Sequence, residues 1–257
     1  MLIGGVYLDC HGALNSIHES PLARKLRAFV ALSEAELDVL LRLHRRRRTF
    51  DAGHAFLHQG HSQRSAFILA SGWVCSYKTL PSGTRQIVDF QVPGDFLGLR
   101  SVLLQTSDHF IEAVTRVEVS EVLPAELFDA FRETPRLAAA VLWAASRDEA
   151  MVVEHLIDIG RRSAEERVAH LLLEMGFRLS LVGLGDKSGY ACPLSQFHLA
   201  DALGLSAVHV NRVLRKLREE GLVTFRGGKV SFDNFEELVA FVGFDTAYLD
   251  QERPLLK

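Results

Sequence analysis

Residues 194–217 read LSQFHLADALGLSAVHVNRVLRKL, and three of them leave the backbone little choice. Ala200 is small where two helices would have to cross closely. Gly204 supplies a turn whose backbone angle bulkier residues resist, and Val210 falls where a second helix would be buried. Ser195 is placed to cap the first helix, with Leu199 and Leu203 on its inner face. Ser206 is placed to cap the second, with Val210, Val213, Leu214 and Leu217 toward the core. Each position has its own steric reason, so the stretch predicts a helix-turn-helix. Downstream, in GLVTFRGGKVSF, Val223 and Phe225 alternate towards Val230 and Phe232 across Gly227-Gly228, a pair suited to a two-residue hairpin. With Arg226 and Lys229 on its shoulders, this hairpin reads as a wing that can touch phosphate. A capping hairpin with solvated charges is the alternative.

The net charge is -3, so any nucleic-acid surface must be local. Between Ala207 and Arg218 there are four positive charges and no negative one. A membrane-surface helix would show larger apolar residues and would lack the capped helix and turn before it. Double-stranded DNA is therefore the expected partner. At 257 residues the chain is long enough for two domains, each with its own core. Cys10, Cys75 and Cys192 lie far apart, which indicates neither a disulfide framework nor a zinc finger and fits a reducing cytoplasm. The N-terminus has no basic region before its apolar residues, as a secretory signal would. No apolar run approaches the roughly 18 residues that span a bilayer. A soluble, cytoplasmic protein without a membrane partner is expected.

The character of the chain changes along its length. Residues 1–19 read as an N-terminal extension. Short helices follow to residue 44, with a capping box at Ser33 and Glu36. From about Thr49 to Leu123, short apolar strands are broken by Gly53, Gly60, Gly72, Gly83, Gly94 and Gly98, as in a sandwich or jelly roll. Pro135 opens a long helix on which Leu142, Ala145, Glu149, Val152, Leu156 and Ile159 follow a three-four spacing. That seam suits either a partner helix or an intramolecular core. Gly160 and Ser163 mark a break, with a capping box in SAEE, and VGLGDKSGYACP reads as a glycine-rich connection. The expected fold class is α+β: a β-sandwich or jelly-roll domain over 20–134, a long helix over 135–160 and a winged helix-turn-helix domain over 161–257.

This order resembles the Crp-Fnr family of bacterial transcription regulators over about residues 22 to 245. The carriers are GRRSAEERVAHLLLEM, LADALGLSAVHVNRVLRKLREEGLV and the run SGWVCSY to VPGDFLGL. The resemblance implies a homodimer joined by the long helix, with half-sites about one helical turn, roughly 34 Å, apart. It implies a cyclic-nucleotide-binding-like sensor domain and, at activated promoters, RNA polymerase as a further partner. Ser206 and His209 match positions that touch phosphate, and Arg212 matches an arginine that reads guanine. Asn211 matches a base-contacting position of the Fnr branch. Val208 stands where relatives often carry glutamate, and Ala207 replaces the Crp branch's arginine, so the half-site is expected to differ from both branches' usual ones. With Gln196, Arg215, Lys216, Arg226 and Gly227, these residues make up the expected DNA-facing set.

For the sensor, the resemblance puts an effector pocket around Phe96, Leu99, Arg100, Ser101, His109, Phe110, Val152 and Val153. Leu99 stands where the family's nucleotide-binding glutamate would be, and His109-Phe110 where its arginine-serine pair would be. Val152 and Val153 replace hydroxyl residues that bond adenine. Cyclic AMP would lose all three contacts, and an unmatched buried phosphate is very costly, so it is not the expected ligand. A regulatory module that binds a cyclic nucleotide or another small ligand, and whose DNA binding depends strictly on that effector, is the alternative. The N-terminus offers only Cys10 toward an Fnr-type iron-sulfur cluster, so no cofactor is expected. His54, His58 and His61 admit a metal on spacing, but surface polar residues explain them more simply, and no metal is expected. Cys75 reads as a buried, inert thiol, Arg100 as a lone surface arginine, and Arg45 to Arg48 as solvated. No catalytic motif is present, so an enzyme is not expected.

Overall fold

The computed structural model describes residue 17 and residues 19–62, 65–104 and 106–249. Nearly all of the N-terminal extension, Cys10 included, lies outside the described residues. Helices α1 (Pro21–Leu26) and α2 (Glu34–Leu43) open the described chain. Ser20 caps α1 ahead of a proline at its start, and the expected box at Ser33 and Glu36 caps α2. Eight strands follow: β1 (Arg47–Phe50), β2 (Ala55–Leu57), β3 (Ala66–Ser71), β4 (Val74–Thr79), β5 (Arg85–Gln91), β6 (Phe96–Leu97), β7 (Phe110–Ala113) and β8 (Val117–Val122). They form two antiparallel sheets, ordered β1-β8-β3-β6 and β2-β7-β4-β5.

Strand alternation sorts the core. Phe67 and Leu69 of β3 and Val74 of β4 share the apolar layer between the sheets with Leu97, Ile111 and Val119. Ala66 and Ile68 point the other way, under α1, α2, α4 (Pro124–Glu133) and α5 (Pro135–Arg161). A short helix, α3 (Leu99–Leu103), follows β6. At Gly94, φ is 94° and a Cβ would stand 2.7 Å from the Pro21 carbonyl oxygen, so only glycine lets this turn approach α1.

α5 runs for 27 residues. Leu137, Ala140, Val141, Ala144 and Met151 are buried within the protomer, whereas Leu142 (68%) and Leu156 (70%) are exposed, together with Val152, Val153 and Ile157. The expected break between Gly160 and Ser163 is present at Arg162 and Ser163, while Gly160 itself is still helical. Helical hydrogen bonding tolerates one glycine, and the chain leaves the helix only at Arg162, where ψ reaches 150°. Ser163 and Glu166 then cap α6 (Ala164–Leu181) with the predicted box.

Residues 182–193, read from sequence as a connection, contain β9 (Gly185–Asp186) and β10 (Gly189–Ala191). They extend the wing strands β11 (Val223–Arg226) and β12 (Lys229–Phe232) into a sheet ordered β11-β12-β10-β9. Strands of two and three residues are too short to display an alternation; β10 is a strand through its pairing with β12, and β9 through its pairing with β10. α7 (Gln196–Leu203) and α8 (Ala207–Glu219) stand between β10 and β11, and α9 (Phe235–Val242) follows the wing. Among the described residues no helix is long and apolar enough to cross a membrane.

The two halves do not keep separate cores, as the length had suggested. Cys75, Ile87, Phe90 and Val92 of the sandwich's outer face, with Trp73, join one buried cluster with Val168, Leu171, Met175 and Leu199. An ionic cluster lies along this junction. Asp95 accepts Lys25 Nζ at 2.7 Å and Arg178 Nη2 at 2.9 Å, and it also accepts the Val92 amide at 2.8 Å. Arg178 Nη1 reaches Asp89 at 3.0 Å. Burial would raise the Asp95 carboxyl, but Lys25 and Arg178 outweigh it and hold the group well below the usual carboxylate range. Removing one partner of a buried pair strands the other, so Asp95→Asn is expected to cost about 3–5 kcal/mol in urea denaturation at neutral pH. Because the folded carboxyl titrates below its unfolded value near 4, this stabilisation is present above about pH 4 and lost as pH falls. The gap between wild type and variant should therefore shrink in acid; a gap independent of pH would contradict the pairing.

Candidate nucleic-acid interface

The helix pair is built from local bonds that the sequence announced. Ser195 Oγ accepts from the His198 amide at 3.3 Å, and His198 Nδ1 accepts from the Ser195 amide at 3.1 Å. Gly204 takes φ 65° and ψ 36°, and the Leu205 amide returns to the Ala200 carbonyl at 3.1 Å. Ser206 Oγ accepts from the His209 amide at 3.2 Å, which starts α8. Val210, Val213 and Leu217 are buried, while Leu214, expected in the core, is only half-buried.

Opposite that face, Val208, Asn211, Arg212 and Arg215 stand at spacings of three and four, all exposed. Val208 is the most exposed apolar member at 70%. The four cations of the second helix are not equivalent. Arg215 Nε donates to Glu219 at 2.8 Å, and Lys216 Nζ donates to Glu165 of α6 at 3.2 Å. Arg212 makes no ion pair with any described residue. Its guanidinium is left on the outer edge with its fork of donors open. Ser206 is exposed beside it, whereas His209 and Gln196 are half-buried. The wing forms as read, with Val223 opposite Phe232 and Phe225 opposite Val230. Gly227 and Gly228 both have positive φ, at 58° and 73°, and leave Arg226 and Lys229 exposed at the tip. Sequence reading passed over Phe197, which is 64% exposed beside Gln196, because one aromatic residue on a short helix carries no periodic signal.

The proposed effector residues fall around α3 and β7. Phe96 and Ser101 are buried, Leu99 is half-buried and Arg100 is exposed. Arg100 is not a lone arginine: its Nη1 lies 3.3 Å from Asp108, which also meets His109 Nδ1 at 2.6 Å and Lys78 at 3.5 Å. Partial burial pushes the Asp108 carboxyl up, but the His109 ring, Arg100 and Lys78 together hold it below the usual range. Desolvation lowers His109 despite this carboxylate. Phe110 stacks on Tyr77, ring centres 5.1 Å apart. Val152 and Val153 stand on α5, exposed. A carboxylate thus already occupies the cations that a phosphate would need.

Other candidates resolve differently. His54 stacks on Phe50, and His58 meets His61 and Phe110 ring to ring. Among the described residues no group of three or more His, Cys, Asp or Glu side chains is arranged to hold a metal ion. Burial pushes the Cys75 thiol up to about 12, so it stays a thiol. The arginine run is paired rather than merely solvated: Arg46 meets Glu126, Arg47 meets Glu118 and Arg48 meets Glu121. Register explains this, since Arg47 and Arg48 lie on β1 against β8, which carries both Glu118 and Glu121.

The local bonds can be tested directly. Ser206→Ala removes the cap of α8 and is expected to cost about 1 kcal/mol. Gly204→Ala forces a side chain into the left-handed region at a cost of about 1–2 kcal/mol. Chemical denaturation reads both, and an unchanged midpoint in either variant would contradict the corresponding assignment.

Comparison with known proteins agrees with this geometry. A family profile described as a cyclic nucleotide-binding domain matches residues 47–134, and one described as a Crp-like helix-turn-helix domain matches residues 166–241. The chain is 33% identical over 224 residues to the nitrogen fixation regulation protein FixK of Bradyrhizobium diazoefficiens, covering 87% of this chain and 88% of that one. It is 24% identical over 212 residues to the fumarate and nitrate reduction regulatory protein of Vibrio cholerae, covering 82% and 84%. Its fold is similar to the structure of FixK2 from Bradyrhizobium japonicum (TM-score 0.68, 28% identity), covering 76% of this chain and 95% of that one. It is also similar in fold to a CRP-family transcriptional regulator of Thermus thermophilus (TM-score 0.61, 22% identity, 77% and 97% covered). With its sandwich, long helix and helix-turn-helix in this order, the chain belongs to the Crp-Fnr family of DNA-binding transcription regulators.

Proposed function

We propose that the protein acts as a cytoplasmic homodimer that places two α8 helices in successive major grooves of a near-palindromic promoter site. The observation that carries this reading is Arg212, an unpaired guanidinium on the exposed edge of a capped helix. Its fork fits the two acceptors of guanine. Asn211 is the second base reader, and Val208 offers apolar contact to a thymine methyl. Ser206, the helix N-terminus and His209 meet phosphate. Arg215, Lys216, Arg226 and Gly227 position the duplex from the helix end and the wing, and Gln196 does so from α7. To reach phosphate, Arg215 and Lys216 must exchange Glu219 and Glu165 for it, which weakens them as contacts relative to Arg212.

Dimerisation along α5 is supported by the exposed Leu142, Val152 and Leu156, an apolar stripe on a helix whose other face is already buried. Ala145, Glu149 and Ile159 complete the seam. In this reading residues 20–134 form the sensor, residues 135–160 the dimerisation helix and residues 161–257 the DNA-binding domain. Cyclic AMP is not the effector: Leu99 offers no acceptor to a ribose, and Asp108 competes for Arg100. The role requires no catalytic step, and RNA polymerase is the further partner wherever the protein activates.

Arg212→Ala is expected to weaken a cognate duplex by about 1–3 kcal/mol and to relax one base position in each half-site. Titrating wild type and variant against a set of single-base substitutions reads this. An equal loss across all sequences would make Arg212 a phosphate contact and overturn its assignment as the reader.

A further inference from the structure

α7 is the first helix of the DNA-binding pair, yet its C-terminal end is held by elements outside that pair. The last carbonyls of a helix have no intrahelical partner. Gln86 of β5 donates through Nε2 to the Ala202 carbonyl at 2.8 Å. Arg167 of α6 donates through Nη1 to the Leu203 carbonyl at 3.3 Å. One residue earlier, Asp201 Oδ2 accepts from Arg85 of β5 through Nε at 2.9 Å and through Nη2 at 2.8 Å. Arg85 is fixed before it reaches Asp201. Its guanidinium lies over the Tyr77 ring at 5.0 Å and its Nη1 is 3.6 Å from Glu112, which also accepts from the Tyr77 hydroxyl at 3.0 Å. Beside these bonds the Phe90 ring meets His198 edge-on, with centres 6.4 Å apart.

We propose that Arg85, Gln86 and Asp201 are positioning residues that set the angle of the helix-turn-helix to α5, and thereby the half-site spacing that the dimer reads. The inference rests on the dimeric DNA-binding reading above. α6 is already held against the sandwich through Arg178 and its partners Asp89 and Asp95, but α7 is a separate helix that follows it after β9 and β10. The bonds from β5 to Asp201 and to the Ala202 carbonyl attach the helix-turn-helix itself to the sandwich and fix its angle. In a two-fold dimer a small change in this angle moves both recognition helices symmetrically, so it alters their separation while leaving the reading edge of each helix intact. None of the three residues lies on that edge.

The test uses the full-length protein and three duplexes: the preferred palindrome, the same palindrome with one base pair added at its centre, and a single half-site. Wild type should lose about tenfold or more on the lengthened palindrome, the scale of a lost base contact in each half-site. Arg85→Ala should lose only about threefold there while binding the single half-site as wild type does. Arg85→Asp should behave like Arg85→Ala, and exchanging both charges (Arg85→Asp with Asp201→Arg) should restore the spacing preference. An Arg85→Ala dimer with wild-type spacing preference would overturn the proposal. So would a uniform loss on all three duplexes with an earlier thermal transition, since that marks a merely structural bond. A wild type that distinguishes none of the duplexes would defeat the DNA-reading assignment itself, and this inference with it.

Discussion

Asp95 is the point at which three parts of the chain meet. Lys25 comes to it from the N-terminal helices, the Val92 amide from the sandwich, and Arg178 from the first helix of the DNA-binding half. Charges this deep are tolerated only when paired and hydrogen-bonded. The network therefore admits few arrangements of the two halves, whereas an apolar contact alone would slide with little penalty. The apolar cluster around Phe90, Leu171 and Met175 supplies the area, and the ionic cluster supplies the register.

From that fixed junction the functional geometry follows. The sandwich carries α5 along its flank, so the exposed leucines of α5 keep a defined direction relative to the sensor. The chain breaks helix only at Arg162, and that residue is itself braced: its guanidinium reaches Glu154 at 3.1 Å and also pairs with Asp158. A short, braced link between two long helices transmits orientation. On the far side, α6 packs against α8, and Glu165 at the start of α6 meets Lys216 on α8. The path from the sandwich to α8 is thus a series of packed elements. Its adjustable parts are the ion pairs at its joints.

The sequence disclosed what depends on neighbours in the chain. Ser195, Ser206 and Gly204 act within four residues of themselves, so their roles were legible, as were the Gly227-Gly228 turn and the capping boxes at Ser33 and Ser163. What depended on distant pairing was not. β10 exists because β12 lies beside it, and β9 because β10 does, while the pairing of Arg47 and Arg48 with Glu118 and Glu121 needs the β1–β8 register. Nothing within its short helix accounts for the burial of Lys25, which the distant carboxylates of Asp95 and Asp148 explain. The same limit hid the shared core: nothing local to Cys75 on β4 or to Ile87 and Phe90 on β5 says what covers them. In the interface, Val208, Asn211 and Arg212 were singled out by the family resemblance, while the Glu165–Lys216 and Arg215–Glu219 pairs that rank the cations emerged only in three dimensions.

The central claim is that this chain reads DNA sequence as a two-fold dimer without cyclic AMP. Selection from a random duplex pool with the purified, effector-free protein at two salt concentrations addresses it most directly. The account predicts enrichment of a near-palindrome whose half-site centres lie about one helical turn, roughly 34 Å, apart, with binding that weakens as salt rises. Recovery of no common sequence, or of one without two-fold symmetry, would contradict it.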